Sequence, residues 1–301
     1  MSDQHKEIIF VSGVDLSLVG TNINGYTLKC TKSTPTDDSD VIAPNHRAYD
    51  IGRRFLGFDR ISGQGYDYCL FDEHKKEYFL YFEKDILSFG LETFYQTQHL
   101  INCLRLFQNS AIGFYCPLIV NSSGGCCAMP DVFHTYHSVY SFEAGRLNSI
   151  DNMTELTKFY DDTYTGTYSE SVQKMLKLFH DSFRMYSQEL KLIQRVTMLE
   201  MLVDGNAELS YRIARTVAVF LGRDIDESKE IFNQTKKIYN SRSKYLHEGN
   251  TNKIDKQIMR DALNLTRRVL ANFLYIKCGM QEFRERIDIA GFGSNPFDVK
   301  M

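Results

Sequence analysis

"IFNQTKKIYNSRSKYLHEGN", residues 231–250, reads as the end of a long helix. At about 100° per residue from Ile231, one broad face collects Ile231, Phe232, Thr235, Ile238, Tyr239, Tyr245 and Leu246. Arg242 falls near the middle of that face. An isolated guanidinium on an apolar stripe is very costly to bury, so its place demands a carboxylate, a second subunit or an anionic ligand. His247 lies about 140° around a straight helix from Arg242, close to Gly249, where a last turn can fray or tighten. No acidic residue stands between Ile231 and His247, whereas Lys236, Lys237, Arg242 and Lys244 are basic. The plain reading pairs Arg242 with a carboxylate on a neighbouring helix and leaves His247 to suit its own helix C-terminus, where a cation is favoured.

Outward from this stretch the chain keeps a helical period. The pattern predicts helices over about 151–162, 168–183, 186–203, 207–221, 224–248 and 253–278. Gly205 and Asn206 break the chain between two of them. Gly222 is expected to end the next as a left-handed cap. Asp224 and Glu227 have capping-box spacing, and Gly249 closes the long helix. Prolines occur only at 35, 44, 117, 130 and 296, so this half has none until its tail. The tail "GFGSNPFDVKM" is expected to be loose.

Before about residue 150 the composition differs. Turn signals such as "NING" and "SGQG" separate the runs "KEIIFVS", "GYTLKC", "YDYCLF", "KEYFLYF" and "FYCPLIV", which read as strands. One helix interrupts them, at about 90–108, with Leu91, Phe94, Leu100, Leu104 and Phe107 as its apolar positions. The expected fold class is therefore α+β. A mixed α/β region (1–150) precedes an all-α antiparallel helical bundle (151–280) and a C-terminal tail (281–301).

Composition narrows the function classes. With 43% hydrophobic and 24% charged residues in 301, the chain is a folding one. Its formal charge of −3 gives no global pull toward nucleic acid or membrane, so any anion site must be local. The longest apolar run, "AIGFYCPLIV", is too short to span a bilayer. The N-terminus lacks a signal-peptide pattern, and seven scattered cysteines suit a reducing cytosol.

The segments "MLEMLVDGNAELSYRIARTVAVFLGRD" (198–224) and "IFNQTKKIYNSRSKYLHEGN" (231–250) together resemble the Apea-like branch of the HEPN domains. The likeness is an apolar helix, then a Glu-Leu-Ser-Tyr-Arg helix ending in Leu-Gly, then a long helix ending in Arg-Ser-Lys-x-x-His, and it spans about 150–280. It implies a helical bundle that forms a homodimer, with arginine and histidine of both protomers meeting in one cleft. Many members are metal-independent endoribonucleases, often in toxin or phage-defence systems of the cytoplasm; others bind without cutting. Carried over, the motif residues are Arg242 and His247. Ser243 stands in the polar position where many active members have Asn, Asp or His. Lys236, Lys237 and Lys244 would contact RNA. No cofactor or metal is implied.

The chemistry suits these residue types. Histidine exchanges protons near neutral pH, and arginine is a permanent bidentate phosphate ligand. A 2′-hydroxyl nucleophile would confine the reaction to RNA. Glu208 and Arg212 have i,i+4 spacing, with Arg215 on the same face; they read either as an ordinary ion pair or as support that orients Arg242. Cys126, Cys127, His134 and His137 lack zinc-ligand spacing and read better as packed side chains. Gly63 and Gly65 lack the strand–turn–helix setting of a dinucleotide site.

Overall fold

The computed structural model describes residues 5–32, 78–87, 91–107, 110, 112–114, 118–121, 126–128, 147, 149–164, 168–185, 187–205 and 207–297. The "SGQG" turn, the "YDYCLF" run, Asn206, His134 and His137 lie outside them. The chain forms two compact units, Met1–Gly166 and Thr167–Met301.

The first unit is built on an antiparallel sheet. Its strands are β1 (His5–Ser12), β2 (Asn22–Ile23), β3 (Tyr26–Lys32), β4 (Tyr78–Ile86), β5 (Gly113–Phe114), β6 (Leu118–Asn121) and β7 (Cys126–Ala128). Their order is β2-β3-β4-β1-β6-β7, and β5 also pairs with β1. The "NING" turn joins β2 to β3 with Ile23 opposite Tyr26. Asn24 and Gly25 both have positive φ (48° and 85°), which is what a two-residue hairpin of strand-matching twist requires. The described ends of the run 114–120 pair with β1 in two registers. β6 faces β1 from His5↔Asn121 to Ile8↔Leu118, and β5 resumes at Val11↔Phe114 in a register shifted by one residue.

Helix α1 (Leu91–Phe107) is buried on every side from His99 to Leu106. It therefore carries polar groups that need internal partners. Helix α2 (Met153–Thr163) packs with α1 in this unit: Phe159 lies 5.8 Å from Phe107, and Leu156 is fully buried. The domain boundary thus falls near residue 166, and the helix that sequence periodicity assigns to the bundle belongs to the first unit.

The second unit is helical: α3 (Glu170–Arg184), α4 (Gln188–Glu200), α5 (Leu209–Leu221), α6 (Ile225–Glu248), α7 (Lys256–Ile276) and α8 (Met280–Ile289). Among its described residues there is no strand. The caps explain several boundaries. Ser187, Asp224 and Asp255 each accept the N–H three residues on, at 3.3, 2.8 and 2.8 Å. Glu227 completes the box at α6 from one residue further out, accepting Arg223 N–H at 3.0 Å. Gly249 ends α6 in the left-handed region (φ 64°). Gly222 does not: its φ is −75°. It is glycine because a Cβ there would meet Ser228 Oγ at 2.1 Å and the Ala218 carbonyl oxygen at 2.7 Å, where α5 and α6 approach closely.

The tail is a packed part of this unit. Helix α8 buries Phe283 and Ile287, and the chain beyond it returns Phe297 to the core. Phe297 stacks on Phe283 at 5.5 Å and meets Phe220 edge-on at 5.7 Å. Each such aromatic contributes about 1.5–3 kcal/mol by burial, enough to hold a short return segment. The composition of 291–301, rich in glycine with one proline, hides this because its anchors, Phe292 against Phe232 and Phe297 against Phe283 and Phe220, meet partners far upstream.

Candidate functional site

The site builds from α6. Its buried residues are Ser228, Ile231, Thr235, Ile238 and Ser241, spaced by three or four along one stripe. Arg242 lies on the line of that stripe, between the angular positions of Ile231 and Thr235 and one residue past its last buried member, with 17% of its side chain exposed. Phe232, Tyr239 and Tyr245 are half-buried, and Leu246 is exposed. Beyond Ser241 nothing on α6 is fully buried, so its last two turns stand out from the core.

The guanidinium of Arg242 has a carboxylate partner. Nη1 and Nη2 lie 3.2 Å from Oε1 and Oε2 of Glu200, the last residue of α4. This is a two-pronged ion pair, and it is partly screened by solvent since both side chains are about a fifth exposed. The ring of Tyr239 lies 5.8 Å from the guanidinium carbon. Nε is buried without a hydrogen-bond partner among the described residues. Sequence reasoning missed Glu200, although it is the one carboxylate in the last turn of α4.

His247 is exposed, as are Lys237 and Lys244, while Lys236 and Ser243 are half-buried. None of the three lysines makes an ion pair among the described residues, and Lys236 Nζ lies 5.5 Å over the Phe232 ring. The helix is regular through Glu248, so the last turn neither frays nor tightens. Arg242 and His247 therefore stay about 140° and about 7.5 Å of rise apart. One chain brings Arg242 to Glu200 and Tyr239; it does not bring Arg242 and His247 onto one face.

Glu208 and Arg212 are also not the expected pair. Glu208 is the residue preceding α5, exposed and left-handed (φ 51°), with no side-chain cap of the helix. That turn carries its carboxylate off the helix ladder, and Arg212 donates instead to the Asp204 carbonyl oxygen. Arg215 donates to the carbonyl oxygens of Ile287, Asp288 and Ala290 at 2.6–3.3 Å, and Arg284 to those of Met201, Leu202 and Val203 at 2.8–3.3 Å. These three arginines line a cleft of about 350 Å³, where they serve the open carbonyl ends of α4 and α8.

A second cleft, open and of about 760 Å³, lies beside α6 and the start of α5. Glu208, Ser210, Tyr211, Lys236, Tyr239 and Asn240 line it. Tyr239 thus belongs both to this cleft and to the surroundings of Arg242.

The first unit has a polar cluster of its own. The Glu7 carboxyl is fully buried, with Tyr26 donating to it at 3.1 Å and the Thr97 hydroxyl beside it. Burial pushes it up to about 7 against the pull of those hydroxyls and of Lys84. His99 donates from Nε2 to the Tyr160 carbonyl at 2.9 Å, and burial pulls it down to about 4. Cys126 and Cys127 lie on β7. No group of three or more metal-ligating side chains occurs among the described residues, and no helix there is long and apolar enough to cross a membrane.

Comparisons with protein-family models, with curated proteins and with solved structures each give no match, so the likeness to HEPN domains rests on the residues quoted above.

Proposed function

We propose that the second unit is a metal-independent endoribonuclease of HEPN type that acts as a homodimer. In this reading Arg242 grips the scissile phosphate and His247 aligns or deprotonates the 2′-hydroxyl, with Ser243 beside them and Lys236, Lys237 and Lys244 along the RNA. The observation that carries the reading is the spacing of Arg242 and His247 on the protruding end of α6. His247 is exposed there, next to the exposed Leu246. Because a straight helix keeps the two residues about 140° apart, a working site needs the second copy to supply the missing partner across a two-fold axis. Binding single-stranded RNA in the cytoplasm, in a toxin or phage-defence setting, follows from the same reading.

One observation favours a second reading, a non-catalytic binding or dimerisation module. Glu200 already neutralises Arg242 within the chain, so the arginine needs no anionic ligand to be stable. Arg242→Lys separates the two. Lysine keeps the charge and the apolar stem but loses the planar fork. The endoribonuclease reading expects cleavage to fall at least about a hundredfold, on the scale of a lost transition-state contact, with the fold retained by circular dichroism. Cleavage at the wild-type rate in Arg242→Lys contradicts it.

A further inference from the structure

The open cleft next to Arg242 is built from groups that suit a nucleotide. Tyr211 is about half exposed, and its ring is braced edge-on by Phe232 at 5.7 Å, which is itself packed on Phe292 at 5.7 Å. A ring fixed from behind with an open side is a stacking platform, and stacking on aromatic side chains tolerates any base. Lys236, on the same wall, has no carboxylate partner among the described residues and is held over Phe232. It is therefore available as a phosphate contact. Asn240 offers an amide for a base edge. Glu208, the acidic residue of the lining, disfavours phosphate and suits a base amino group, which orients a nucleotide with its phosphate toward Lys236. Ser210 Oγ, also on the lining, is buried without a hydrogen-bond partner. The volume, about 760 Å³, lies within the range of small-ligand sites.

We infer that this cleft is a subsite for one nucleotide of single-stranded RNA, adjoining the scissile phosphate at Arg242 and stacking its base on Tyr211. Tyr239 connects the two, since it lines the cleft and lies 5.8 Å from the Arg242 guanidinium. The inference rests on the endoribonuclease reading for the identity of its ligand. Tyr211 stands in the Glu-Leu-Ser-Tyr-Arg segment and Tyr239 on the apolar face of the long helix, and the packing of α5 on α6 brings both into the cleft.

The test is fluorescence anisotropy of the full chain with a labelled 2′-O-methyl hexauridylate, whose blocked 2′ oxygen prevents cutting. Tyr211→Ala is expected to weaken binding about tenfold and Tyr211→Phe to bind as wild type, since the ring and not the hydroxyl does the stacking. Lys236→Ala is expected to weaken binding and to lower the slope of log Kd against log salt by about 0.7, the value for one phosphate on a single strand. Equal binding by wild type and Tyr211→Ala overturns the inference, as does an equal loss in Tyr211→Ala and Tyr211→Phe. So does a Tyr211→Ala chain that becomes monomeric by light scattering, because the cleft would then be an interface between copies. If wild type cuts RNA in an Arg242-dependent way while Tyr211→Ala keeps full affinity, the subsite alone fails. If wild type does not bind the hexamer, the endoribonuclease reading fails with it.

Discussion

Glu7 of the first unit and Glu227 of the second are accommodated in opposite ways, while Glu83 of the first unit, bridged by Lys6 and Lys29 at 2.8 and 2.6 Å, sides with Glu227. In the first unit, Glu7 is surrounded by hydroxyls with no ion-pair partner among the described residues, so burial dominates and its carboxyl rises to about 7. In the second, Glu227 is also largely enclosed. Burial opposes its ionisation, but hydrogen bonds from Arg223 and Arg268 outweigh that and hold it at about 2. Glu200 is likewise paired with an arginine, Arg242. The difference teaches that a carboxyl can be accommodated by neutralising it or by pairing it. Only the paired kind leaves arginines poised where an anion can compete for them.

Glu227→Ala is expected to show the largest effect. It removes the partner of Arg268, which is 19% exposed, and the acceptor at the start of α6. The loss should be about 3 kcal/mol at pH 7 by urea unfolding, typical of breaking a pair that is mostly buried. Because the folded value of Glu227 lies below the ordinary 4.5, its stabilisation is complete above about pH 4.5. It disappears as pH falls toward 2, where mutant and wild type should converge. A difference that persists unchanged at pH 2 would mean the ion pair is not its source.

Glu7→Gln should run the other way with a similar size. The folded carboxyl is raised, so its stabilisation is full below pH 4.5 and is lost as pH rises through about 7. Relative to wild type, the glutamine variant should therefore gain stability across that window, by about 3 kcal/mol at its upper end. His99, held at about 4 by burial, has the opposite slope between pH 4 and its usual 6.5. The two offset in wild type, which is why the variant-minus-wild-type difference is the quantity to follow, by hydrogen exchange of β1 amides. A flat difference would place Glu7 in contact with water or a cation.

Helix content in the second half was legible in the sequence because period and caps agree there. Asp224, Asp255 and Gly249 act through local backbone geometry, which a short window carries. Gly249→Ala should cost about 1 kcal/mol, the penalty of a left-handed position, by thermal unfolding. What was not legible depends on distant partners. Gly222 answers to Ser228 across a close approach rather than to its own φ, and Phe297 is anchored by Phe220 and Phe283 far upstream. The placement of α2 with the first unit likewise follows from its contact with α1 and not from its own pattern. For the candidate site, the sequence supplied Arg242, His247 and the lysines. It supplied a carboxylate for Arg242 only as a type, and packing chose Glu200 over Glu208. The neighbouring cleft was not legible because Tyr211 and Tyr239, each within a quoted segment, meet there only once α5 lies on α6.

RNA cleavage by the paired arginine of the second unit together with His247 remains the proposal that one experiment tests outright. The most direct measurement incubates purified full-length protein with total RNA, with and without EDTA, beside His247→Ala. The account predicts cutting that EDTA does not slow, products ending in 2′,3′-cyclic phosphate, and loss of cutting in the variant while its melting temperature changes little. Cutting by His247→Ala at the wild-type rate, or cutting that EDTA abolishes, would contradict it.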